Sequence, residues 1–132
     1  MEYIVRKILS IKLFDDDNNK RWKTNIVNKN FEILCVSQFT LYNTWQGTKP
    51  DFHKSMPAAQ SKEFYEKFLQ RLKQAYVPDK VKDGLFGEYM QVYIQNDGPV
   101  TFSIESPILT KTPKNQPAIT ETTDAVEKGE DS

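Results

Sequence analysis

One mixed α/β domain over residues 1–106, followed by a disordered polar tail over 107–132, is the architecture this sequence predicts. Three observations lead there. All 16 aromatic residues lie at or before Phe102. An apolar stripe at helical spacing joins Phe64, Tyr65, Phe68, Leu69, Leu72 and Tyr76. Short apolar or alternating segments elsewhere have the period of strands. The tail, by contrast, holds three of the seven prolines and five threonines, with three lysines against five acids. Such a composition buries too little apolar surface to offset the entropy of ordering.

Taken in order, Tyr3, Ile4, Val5 and Ile8 predict the last turns of a helix already under way at residue 1. Leu9, Ile11 and Leu13 then alternate with polar neighbours as a strand does, and 15–19 is a polar turn. The strongest strand is Phe31 to Tyr42, where Ile33, Leu34, Cys35 and Val36 are continuous and apolar, as in a strand buried on both faces. Gly47, Pro50 and Pro57 make 43–57 a long loop. Ala58 to Tyr76 is a helix that Pro78 ends, with Glu63 and Lys67 spaced to pair across one turn. Residues 90–95 and 100–105 alternate around Asn96-Asp97-Gly98-Pro99, a hairpin signal. A chain that opens inside a helix and runs into buried strands is expected to have lost preceding elements, leaving too few strands to pair every edge.

Composition narrows the function classes. The 18 basic and 18 acidic residues cancel, which excludes the pervasive basicity of a histone-like binder. No apolar run approaches the ~20 residues of a membrane span. The single cysteine, Cys35, makes no internal disulfide, and no Asn-x-Ser/Thr sequon is present, so a cytoplasmic setting is expected.

Several residue groups invite a chemical reading and lose it. Asp15, Asp17 and Asn19 fit the start of a calcium loop, but Lys20 and Ile26 stand where glycine and glutamate are needed, which leaves a solvated acidic turn. Cys35, set among Ile33, Leu34 and Val36, reads as a packed thiol and not a nucleophile served by His53. One histidine and one cysteine exclude a His/Cys zinc site, and no Walker-type phosphate loop occurs. No cofactor or metal is expected. Ser37-Gln38-Phe39-Thr40-Leu41 places polar groups at the end of an apolar strand, where a site could form, although pattern alone favours an ordinary strand end. Asn96 to Pro99 fits a plain hairpin turn, and a Gly-Pro bond can also be cis; composition does not choose.

The spacing of these last two motifs resembles something definite. Ser37-Gln38-Phe39-Thr40-Leu41, followed some 55 residues later by Asn96-Asp97-Gly98-Pro99-Val100-Thr101, is similar to the two signatures of the D-aminoacyl-tRNA deacylases. Val5 to Leu9, Lys49 to Phe52, Phe64-Tyr65 and Phe86 to Val92 agree as well, so the resemblance covers residues 4–106. It implies an α/β fold with a mainly antiparallel, barrel-like sheet and packed helices, here truncated at the N-terminus. It further implies a homodimer with the active site at the subunit interface, acting on D-aminoacyl-tRNA and glycyl-tRNA. By that resemblance Ser37, Gln38, Phe39 and Thr40 form the catalytic pocket around the 3′ adenosine and its amino acid. Phe86 and Met90 wall it, and Gly98-Pro99 enters the partner's pocket as a cis dipeptide that excludes L-amino acids. Ser55 departs from the alanine common before Met56 in the family, which reads as a minor change.

The expected chemistry is ester hydrolysis by water, assisted by the adenosine 2′-hydroxyl, with backbone N–H groups around Phe39 and Thr40 holding the oxyanion. Lys20, Arg21, Lys23, Lys49 and Lys54 are candidates for phosphate contact, balanced against a reading as ordinary solvated side chains. The competing expectation is an inactive nucleic-acid-binding or interaction protein derived from the same family.

Overall fold

The computed structural model describes residues 1–107, so the expected disordered tail lies outside the described residues apart from Pro107. In chain order come α1 (Glu2–Ser10), α2 (Ile26–Lys29), β1 (Ile33–Cys35), β2 (Thr44–Gln46), β3 (Lys49–Asp51), α3 (Ala58–Ala75) and β4 (Val81–Asp83). Two 3₁₀ turns, Phe39–Leu41 and Pro78–Lys80, punctuate the loops. β1 pairs in parallel with β4, Ile33 opposite Val81, while β2 and β3 form a separate antiparallel hairpin. The class is α/β, as expected. Among the described residues there are two two-stranded sheets and no closed barrel, and neither orientation dominates.

Burial explains the helices. Val5, Leu69, Leu72 and Val81 are buried together, with Ile8, Leu9, Ile33, Cys35, Phe68 and Tyr76 packed around them. Val5, Ile8 and Leu9 share one helical face at i, i+3 and i+4. That stripe carries α1 through Ser10, which corrects the strand expected at 9–13: only Phe14 bridges, to Thr24. Arg71 clamps the two helices by donating to both carboxylate oxygens of Glu2, at 2.5 and 3.0 Å. Tyr76, at the end of α3, donates to the carbonyl of Phe31 at 2.8 Å and so ties that helix to the start of β1. Leu72 is 0% exposed. Leu72→Ala is therefore expected to cost about 2–5 kcal/mol, seen as a lower urea midpoint at unchanged slope.

Three further expectations are corrected. The long strand at 31–42 shrinks to three residues, because its one partner, β4, is bounded by the Pro78–Lys80 turn and by Gly84. Leu34 on its outer face is consequently 63% exposed rather than buried. The loop expected at 43–57 contains the β2–β3 hairpin, whose turn uses Gly47 at φ +60°. The hairpin expected at 90–105 does not form. Those residues run as irregular chain, with Tyr93, Ile94 and Phe102 exposed and the Gly98–Pro99 peptide cis.

Candidate active site

Where β1 ends, its last carbonyl becomes a junction. The Cys35 oxygen accepts from Gly84 N–H and from the Tyr65 hydroxyl, each at 3.0 Å, so β1, β4 and α3 meet at one atom. Beyond it the chain turns through Val36, Ser37 and Gln38 into the Phe39–Leu41 turn, closed by Tyr42 N–H donating to the Phe39 carbonyl at 3.1 Å. Gln38 Nε2 donates to Thr40 Oγ1 at 2.6 Å. Among the described residues, the backbone N–H groups of Phe39 and Thr40 donate to no protein acceptor.

The β2–β3 hairpin brings Phe52 back onto this turn. Its ring meets Phe39 edge-on, with centroids 5.0 Å apart. Asp51 fixes the return by accepting from the Thr44 hydroxyl at 3.3 Å and His53 N–H at 3.2 Å, and by pairing with the His53 ring. The side-chain hydrogen bond from His53 is the main reason its carboxyl sits below the ordinary range. Four residues after Asp51, the Ser55 hydroxyl faces the carbonyls of Phe39 at 3.1 Å and Tyr42 at 2.9 Å.

The segment after β4 reaches the same region. Phe86 lies against Tyr65 at 5.6 Å, the two planes 31° apart. Met90 curls back so that its sulfur accepts from Leu85 N–H at 3.3 Å, close over Gly84, where a Cβ would lie 3.1 Å from that sulfur and require it to shift slightly. A cavity of about 830 Å³ is lined by Ser37, Gln38, Phe39 and Ser55, by Phe86 and Met90, and by Phe64, Tyr65 and Phe68 of α3. Among the described residues, Glu88 is the only charged group on its lining. Such a cavity accepts a flat or apolar neutral group with a few hydrogen-bonding atoms and offers no cation to a phosphate. Burial, with Asp83 adding to it, pushes the Cys35 thiol up, and burial likewise raises the Tyr65 hydroxyl, so neither is an activated nucleophile.

Over residues 1–105 the sequence matches the family of D-Tyr-tRNA(Tyr) deacylases. The chain belongs to that family. It is 55% identical over 107 residues to D-aminoacyl-tRNA deacylase 1 of Bos taurus, covering 81% of this chain and 51% of the relative. The D-aminoacyl-tRNA deacylase of Drosophila melanogaster is 53% identical over 81% of this chain and 67% of its own. This chain spans about half the length of the mammalian relatives it matches. The solved structure of a c-Myc DNA Unwinding Element Binding Protein superposes with a TM-score of 0.76 at 54% identity, over 80% of this chain and 71% of that one.

Within this member of the deacylase family, five of the expected site residues meet at the cavity: Ser37, Gln38, Phe39, Phe86 and Met90. Thr40 does not line it and is linked through Gln38, while Gly98 and Pro99 lie elsewhere in the chain's own fold. Phe52 and Ser55 fall in a segment that reads as loop, and sequence reasoning assigns neither of them to the site. Tyr65 is hidden in the core stripe of α3, although a tyrosine there has a hydroxyl to satisfy, and that was the available signal.

Proposed function

We propose that this chain hydrolyses the ester joining a D-amino acid to the 3′ end of tRNA. The observation that carries the reading is the convergence of Ser37, Gln38 and Phe39 with Phe86 and Met90 on one apolar cavity, in a chain of the deacylase family. Phe86 offers a face for the terminal adenine, and Ser37 and Gln38 supply polar groups that orient the ribose and the ester. The N–H groups of Phe39 and Thr40, which donate to no acceptor among the described residues, support an oxyanion site.

The chemistry then needs no protein nucleophile. Water, giving up a proton with the help of the adenosine 2′-hydroxyl, adds to the ester carbon, and the carbonyl oxygen becomes the oxyanion. Collapse breaks the bond to the 3′-oxygen, which takes the proton and leaves as the 3′-hydroxyl beside a free amino acid. Glycyl-tRNA, with no side chain to exclude, is a second substrate of the same site. The reading carries with it a homodimer completing a barrel-like sheet, in which Gly98-Pro99 enters the partner's cavity, and a cytoplasmic, tRNA-binding protein. The exposed Val92, Ile94 and Val100 supply apolar surface for such pairing. Lys49 and Lys54, exposed on either side of Phe52 and not on the cavity lining, are the candidates for phosphate contact in this reading.

Replacing Thr40 separates the two possible nucleophiles. With water attacking, Thr40→Ala keeps kcat for D-Tyr-tRNA within about threefold of the unaltered protein; a loss of ~10⁴-fold would make Thr40 the nucleophile. The second reading, a nucleic-acid-binding protein without this chemistry, is favoured by the likeness to a solved protein named for binding a DNA unwinding element. It requires tRNA binding without cleavage of the D-aminoacyl ester in the same assay.

A further inference from the structure

We infer that Ser55 is a positioning residue of this site, one that sets the direction of the Thr40 N–H; the inference rests on the deacylase reading of the cavity. The geometry is specific. Phe39 C=O and Thr40 N–H are opposite edges of one rigid peptide plane, so anchoring the oxygen aims the hydrogen. The Ser55 hydroxyl lies 3.1 Å from that oxygen and 2.9 Å from the carbonyl of Tyr42, and its one proton is shared between them. It reaches across 16 residues of sequence to do so, from a turn closed by its own N–H donating to the Phe52 carbonyl at 2.9 Å.

Four other contacts hold the same turn: Leu41 N–H donates to the Gln38 carbonyl at 3.4 Å, Gln38 Nε2 donates to Thr40 Oγ1 at 2.6 Å, and two more involve Phe39. Phe52 packs on the Phe39 ring, and Tyr42 N–H bonds to the Phe39 carbonyl from within the turn. None of the four anchors the 39–40 peptide plane to another part of the fold through its carbonyl as the Ser55 hydroxyl does, because a ring contact tolerates sliding and the bonds within 38–42 move with the turn. A hydrogen bond accepted at the carbonyl also polarises the amide and strengthens the N–H as a donor. Alanine at this position would leave the turn packed but free to rock, so the substitution that reads as minor in the sequence acts on the oxyanion donor.

The test uses the full chain with three substitutions. Removing an oxyanion donor outright costs about 10²–10³ in kcat, so misdirecting one is expected to cost about tenfold. Ser55→Ala and Ser55→Cys, the latter keeping size with a weaker donor, should each lower kcat for D-Tyr-tRNA about tenfold with KM within about twofold. Both should speed amide hydrogen exchange at Tyr42 by about fivefold or more, and Ser55→Thr should restore both quantities. Unchanged kcat in Ala and Cys, a loss confined to KM, an equal loss in Thr, or unchanged exchange at Tyr42 would each overturn the assignment. If the unaltered chain cleaves no D-Tyr-tRNA, the deacylase reading fails separately, and exchange at Tyr42 alone decides whether Ser55 holds the turn.

Discussion

D-Tyr-tRNA whose terminal adenosine lacks the 2′-hydroxyl is expected to be cleaved about 10²–10⁴-fold more slowly than the natural substrate, the span of a positioned general acid–base group. Among the described residues the cavity lining carries no histidine or cysteine to replace that group. The lone histidine, His53, is engaged with Asp51 and does not line the cavity, and the Cys35 and Tyr65 protons are held more tightly than usual by burial. Among the described residues Glu88 is the one carboxylate on the lining, and it makes no hydrogen bond to the Phe39–Leu41 turn. The measurement is single-turnover release of D-tyrosine from the two tRNAs. Equal rates would move the proton transfer onto the protein, with Glu88 the first residue to replace.

Phe86→Ala should raise KM for D-Tyr-tRNA about tenfold to a hundredfold, since base–aromatic stacking is worth about 1–3 kcal/mol per base. The effect is expected in KM because stacking on the adenine is made equally in ground and transition states. Phe86→Trp keeps an aromatic face and should retain most of the binding. Because Phe86 also packs on Tyr65, thermal unfolding of each variant separates lost stacking from a loosened loop. A KM unchanged in Phe86→Ala would place the adenine elsewhere.

Local chemistry made part of this fold readable and long-range pairing hid the rest. α3 was legible because its stripe, its Glu63–Lys67 pair at 2.9 Å and the proline after it are properties of neighbouring residues. Strand lengths were not, because a strand ends where its partner ends: the apolar run at 33–36 is longer than β4 can pair. The same holds for 90–105, whose alternation is real but whose backbone finds no partner among the described residues. In β2–β3 the signal misled in the other direction, since Pro50 discouraged a strand reading yet sits opposite Trp45 at an edge where no donor is needed.

The site divides in the same way. Ser37, Gln38 and Phe39 and the distant Phe86 and Met90 were readable through the motifs they belong to, and the structure brings them to one cavity. Ser55 and Phe52 act through a carbonyl and a ring 13 residues or more away, a relation that no local pattern encodes. Tyr65 joins them by donating to Cys35 across 30 residues.

The most direct test is to incubate the full chain with D-Tyr-tRNA and L-Tyr-tRNA, matched in every other respect, and to follow ester loss over the spontaneous background. Cleavage of the D ester with the L ester left at background is the expected result. A folded, tRNA-binding chain that leaves both esters intact, or removes both at the same rate, would contradict the assignment of this cavity as a D-aminoacyl ester hydrolase.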